Sequence, residues 1–181
     1  RIRIKPYLDT GHEFLLHPWH QYWYNDNMYN KFVDVGHCEQ SLTRTINTFN
    51  SISGLEKNSD CLVYPGNSSD RDEVVEMCSN HVWMGIKSGG HCNTDLSHPY
   101  HMQRLAIDMN LGKDAIKKRI RDAVNQNAWI IFAMHISNFA IDDTVDNYSW
   151  TTGNLKDILQ YAQNFGEFKK YSEVVSAFTL K

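Results

Sequence analysis

The chain has 181 residues, enough for one domain with a sizeable core. Its 41% hydrophobic and 22% charged residues are ordinary for a globular protein, and a net charge of -3 at pH 7 lacks the electrostatic footprint of a nucleic-acid binder. No apolar stretch is long enough to span a bilayer.

The opening Arg1-Ile2-Arg3-Ile4 reads more like a cut inside a domain than a natural beginning. Residues 1–10 are too short to stand alone. Phe14, Leu15 and Leu16 form a short apolar run that reads as a buried strand, and it ends at His17, Pro18, Trp19 and His20. Neutral imidazole is the commonest metal ligand, and two such rings three residues apart can converge on one ion. The plainer reading is two surface histidines in a loop, in a chain that has nine. Asn25 to Asn30 is a polar, tyrosine-rich loop. Leu42, Ile46 and Phe49 then recur at helical spacing and predict an amphipathic helix over 39–50, ended by Ser53-Gly54.

Cys61 to Tyr64 reads as a buried strand that Pro65-Gly66-Asn67 stops sharply. Ser68 or Ser69 is the expected cap of the next helix, with Val74, Val75 and Cys78 on its inner face. Val82 to Ile86 is the following strand, and a loop runs from Ser88 through Pro99. Arg104 to Asp108 is a short strand. Lys113 to Asn127 is a helix with Ile116, Ile120, Ala123 and Val124 inward and a wet basic face. Ala128 to Met134 is the most apolar strand, ending on His135. Asn154 to Phe165 is a helix through Leu155, Ile158, Leu159 and Ala162. Val174 to Phe178 is a last strand or a closing helix.

Cys38, Cys61, Cys78 and Cys92 lie too far apart for a CxxC site, and most read as buried thiols. His91, His98 and His101 form a weak second metal candidate. Strand and helix alternate throughout, which predicts an α/β fold with a mostly parallel sheet. Parallel strands point the same way, so the loops bearing His17 and His20, Gly66, Asp108 and His135 are expected to gather at one end.

Taken in order, these segments resemble the polysaccharide deacetylases, the NodB-homology carbohydrate esterases of family 4. Gly11-His12-Glu13-Phe14 with His17 and His20 is similar to the family's metal-binding histidine segment. Leu62-Val63-Tyr64-Pro65-Gly66-Asn67 is similar to its "FAYPYG" or "RPPYG" segment. Tyr100 to Asp108, with Arg104, resembles its "YxLxRixid" stretch, and Trp129 to His135 resembles its late "gWiilxxH" strand. Thr152 to Ala162 resembles the helix that follows. The family's histidines are normally four apart, its "RPPYG" arginine falls on Val63, and the aromatic of that segment falls on Gly66. The family's "TFDDG" strand, with a metal-binding aspartate and the catalytic base, is not matched.

The resemblance implies a distorted (β/α) barrel of the NodB type, N-terminally incomplete, as a single domain over 1–181. It implies a hydrolase that removes N-acetyl groups from a hexosamine-containing polysaccharide of the cell-wall, exopolysaccharide or chitin-like kind. His17 and His20 would hold a divalent metal, typically zinc. His135 would act as general acid, with Asp108 and Arg104 orienting it or lining the groove. Tyr64, Pro65, Gly66 and Trp19 would contact substrate, and the Gly66 N–H would face the oxyanion. The family's location is extracellular or at the cell surface. A partner chain carrying the unmatched N-terminal part is a further expectation. The alternative is a catalytically inactive deacetylase-like module that binds glycan or serves a cell-surface or phage-tail assembly. An α/β hydrolase of the G-x-S-x-G type is disfavoured, because no such elbow is present.

Overall fold

Alternation of apolar strand and amphipathic helix is realised as two strand–helix–strand crossovers, each closing a parallel pair. The computed structural model describes residues 4–18, 34–55, 60–66, 71–107, 111–134, 139–140 and 150–179. Two compact units divide the chain and interleave in sequence. The first comprises Arg1–Lys87, His98–Met102 and Lys170–Lys181, and the second Ser88–Ser97 and Gln103–Lys169.

In the first unit, α1 (Lys5–Asp9) is a single turn started by Pro6. Helix α2 (Val35–Asn50) begins four residues earlier than the apolar stripe implies. Its start is set by Asp34, whose carboxylate accepts from the His37 amide and so satisfies a donor at the helix end. The His37 ring also bonds Asp34, and the two His37 hydrogen bonds hold its carboxyl below the usual carboxylate range. Strand β1 (Cys61–Val63) pairs in parallel with β2 (Met84–Ser88), in the register Cys61 with Met84 and Val63 with Ile86. Helix α3 (Asp72–Ser79) makes the crossover. Arg71 holds its cap position and Asp72 and Glu73 its first turn, while Ser68 and Ser69 lie outside the described residues. Strand β2 also begins two residues later than its apolar run; ahead of it Trp83 is 58% exposed while its amide donates to the Asp60 carbonyl at 2.8 Å.

The core of this unit joins Leu16, Leu62, Tyr64 and Val82 to Cys38 and Leu42 of α2 and to Val74, Met77 and Cys78 of α3. Val75 is only half-buried, and Met77 takes the inner position expected for it. Segment 171–179 is a helix, α6 (Tyr171–Thr179), and not a strand. Glu13 accepts from the Ser172 amide at 3.1 Å and bonds its hydroxyl, so the Gly-His-Glu-Phe segment caps α6.

In the second unit, β3 (Met102–Ile107) pairs in parallel with β4 (Phe132–Met134), and α4 (Lys113–Asn125) crosses between them. The 128–134 run is less strand-like than its composition suggests. Only its last three residues form strand, Trp129 makes an isolated antiparallel bridge with Asn93, and Met134 is 43% exposed. Strands β5 (Phe139–Ala140) and β6 (Trp150–Thr151) pair in parallel, and α5 (Thr152–Gln163) starts at Thr151, whose hydroxyl accepts from the Asn154 amide. The core gathers Leu105, Ile107, Ile116, Ile120, Trp150 and Ile158. Val124 and Leu159, expected inside, lie 44% and 36% exposed.

The fold is therefore mixed α/β with parallel pairing inside each unit, compatible with part of an α/β barrel. No helix among the described residues is long and apolar enough to cross a membrane.

All four cysteines are free, and Cys38, Cys61 and Cys78 are buried. Burial pushes the Cys38 and Cys78 thiols up to about 12. A thiol reagent acts on the thiolate, so these groups should stay unmodified in folded protein at pH 8. Titration with a chromogenic disulfide is expected to find at most Cys92 before denaturant is added and all four afterwards. Fast reaction of three thiols in the folded protein would contradict this packing.

Candidate functional site

Residues 14–16 are apolar because Leu16 is the point where the chain joins the first unit's strands. Leu16 is fully buried and makes a parallel bridge with Leu62. Its amide donates to the Cys61 carbonyl at 2.9 Å, and its carbonyl accepts from the Val63 amide at 2.8 Å. The next residue, His17, thus leaves the sheet at the carboxyl end of β1, the end at which parallel-sheet proteins place ligands.

Among the described residues, one hydrogen bond holds the His17 ring there. Its Nδ1 lies 2.9 Å from the Val63 carbonyl oxygen. A carbonyl only accepts, so Nδ1 carries the hydrogen and donates. In the neutral ring the lone pair is then on Nε2, and the side chain is exposed. A backbone carbonyl fixing tautomer and ring orientation in this way is the usual support of a metal-ligating histidine. The sequence could not reveal the Val63 carbonyl as a partner. Every residue has one, and only the parallel register brings this one under residue 17.

Beside His17, the segment Tyr64-Pro65-Gly66 ends β1. The Tyr64 amide donates to the Ile86 carbonyl at 2.9 Å and extends the pairing by one step. The Tyr64 side chain is fully buried, and its hydroxyl has no hydrogen-bond partner among the described residues. Burial pushes this phenol well above the ordinary tyrosine range. Tyr64 therefore fills the core. Pro65 is buried as well, and Gly66 is the exposed member of the three. Gly66 has φ +52°, a conformation that glycine adopts without strain.

Arg104 belongs to the second unit and lies half-buried on β3. Its Nε donates to the Ser88 hydroxyl at 3.4 Å, and burial lowers its proton affinity. The Gly89 and Gly90 amides donate to the Arg104 carbonyl at 3.4 and 3.2 Å, folding the loop after Ser88 back on β3. A Cβ on Gly89 would stand 2.0 Å from the Gln103 side-chain amide oxygen, so a larger residue there would have to displace that side chain. Ser88 was not singled out by its sequence.

Trp19, His20, Asp108 and His135 lie outside the described residues. The structure thus brings His17 together with Val63 and the 64–66 turn, and describes Arg104 separately. Among the described residues no group of three or more His, Cys, Asp or Glu side chains converges to hold a metal, and His91, His98 and His101 form no such group.

Compared with protein-family models, with characterised proteins and with solved structures, the chain shows no significant match.

Proposed function

We propose that the protein is a polysaccharide deacetylase homologue, acting on N-acetylated hexosamine polymers from a distorted (β/α) barrel of the NodB type. The observation that supports this reading best is the Nδ1–H donation of His17 to Val63, which leaves Nε2 as the ligating atom at the carboxyl end of a parallel strand. His17, with His20, would hold a divalent cation, zinc being the usual choice for imidazole ligands. When bound, such an ion supplies a water of lowered pKa and polarises the acetyl carbonyl. By the resemblance His135 would protonate the departing amine, with Arg104 and Asp108 orienting it or lining the groove. In the resembled family an aspartate pair supplies the third ligand and the general base, and none of the matched segments carries that pair. The reading goes with an extracellular or cell-surface location.

The test is release of acetate from N-acetylglucosamine oligomers with added zinc, by the wild-type protein and by His17→Ala and His135→Ala. Loss of a general acid is expected to slow turnover about 100-fold or more, and loss of a metal ligand at least as much. Equal activity in all three proteins would remove the enzymatic reading and leave a glycan-binding module without turnover.

A further inference from the structure

Helices α4 and α5 of the second unit lie side by side in a register that side-chain contacts fix. Lys113 pairs with Asp157 at 3.2 Å, and one turn later the Lys117 ammonium sits 5.3 Å from the centre of the Tyr161 ring. One turn further, the Arg121 guanidinium donates to the Tyr161 hydroxyl at 2.8 Å. The Phe165 ring follows, 5.0 Å from that of Tyr161, and it is 44% exposed. At 3.6 residues per turn, Lys117, Arg121 and Val124 fall within an arc of about 60° on α4. Two cations, two aromatic rings and an exposed valine thus form one surface stripe.

The charges on this stripe are unbalanced. Lys113 is matched by Asp157, Lys118 by Asp122 and Lys169 by Glu167. Among the described residues, no carboxylate comes within ion-pair distance of Lys117 or Arg121. A ligand for this surface therefore needs an anionic group and a face that can lie on an aromatic ring. The C–H face of a sugar ring meets the negative face of an aromatic ring favourably. A carboxylate on that sugar would accept from Arg121 and Lys117. A nucleic acid would demand a wider basic field than a chain of net charge -3 supplies. An acidic peptide strand would find no sheet edge here, because the backbone groups inside a helix are already bonded to each other.

We propose that the α4–α5 face is a second glycan-binding surface, selective for sugar rings that carry a carboxylate, with Phe165 as the platform and Arg121 and Lys117 as anion donors. The choice of a sugar leans on the glycan reading above, but the surface is distinct from the His17 region and is read out without catalysis. The probe is tetragalacturonate, titrated by calorimetry into the whole protein at low salt. Weak binding is expected, with a Kd of roughly millimolar order. It should weaken about fivefold or more in Arg121→Gln, in Lys117→Gln and in Phe165→Ser, and also on raising ionic strength. Arg121 and Phe165 are exposed and Lys117 is half-buried, and an unchanged circular dichroism spectrum verifies each variant's fold. Neutral chitotetraose should bind this surface at least about fivefold more weakly. His17→Ala should keep tetragalacturonate binding, so failure of the deacetylase reading and failure of this one are separable. No heat of binding, or binding unchanged in all three stripe variants, would overturn the proposal. So would tetraglutamate or tetrathymidylate binding as tightly through the same residues.

Discussion

Replacing Gly85 with alanine is expected to destabilise the protein by about 3 kcal/mol. Gly85 lies on β2 under the fully buried Tyr64 ring, and a Cβ added there would stand 2.4 Å from the ring edge and from the hydroxyl. Real side-chain carbons do not approach so closely, so the ring or the strand must move. The ring has no room, because it is packed with Leu16, Leu62 and the α2 and α3 side chains. Tyr64→Phe is the complementary experiment. It removes a buried hydroxyl that bonds nothing among the described residues, so it should be neutral or stabilise by up to about 1 kcal/mol. Tyr64→Leu in the Gly85→Ala background should recover part of the loss. Urea melts of the four proteins measure all of this. A Gly85→Ala variant as stable as wild type would mean that Tyr64 does not occupy this position.

Trp150→Ala should cost about 3–5 kcal/mol, the largest loss expected from any single truncation in the second unit. Trp150 is 2% exposed at the centre of the Leu105, Ile107, Ile116, Ile120 and Ile158 cluster. Its Nε1 also donates to the Leu111 carbonyl at 3.0 Å. Truncation therefore opens a cavity and removes a buried donor together. Trp150→Phe separates the two effects: it keeps most of the packing and leaves the carbonyl short of a partner, for a loss of about 1–3 kcal/mol. Equal losses in the two variants would show that packing is not what Trp150 contributes.

How far the sequence led is visible in particular elements. The stripe of Leu42, Ile46 and Phe49 announced α2, but not its first four residues. Those are fixed by the Asp34 cap, a local polar signal that periodicity does not register. The apolar runs at 82–86 and 128–134 announced strands, but the strands begin at Met84 and Phe132, because the register with the neighbouring strand, and not apolar composition, decides where a ladder starts. Val124 and Leu159 were expected inside on spacing that barely supports it. At 3.6 residues per turn Val124 lies about 40° from Ile120 and about 80° from Ile116, and Leu159 about 100° from Ile158, at the margin of the covered face.

The candidate site was less legible than the fold. The chain's histidines could be counted, but only the parallel bridge at Leu16 shows why residue 17 emerges where it does. Tyr64 reads as a groove residue by resemblance and lies in the core by packing, since β1 needs an inward side chain at its end and Gly85 leaves space for one. The interaction that gives His17 its chemical character is made to a main-chain oxygen, and no residue type encodes it.

The account rests on His17 as a ligand through Nε2, and long-range proton–nitrogen NMR of the imidazole measures that atom directly. In the metal-free protein with the ring neutral, the spectrum should show the Nδ1–H tautomer, and stoichiometric zinc should shift the Nε2 resonance of this ring while leaving Nδ1 protonated. A ring in the Nε2–H tautomer, or one whose nitrogens ignore zinc, would contradict it.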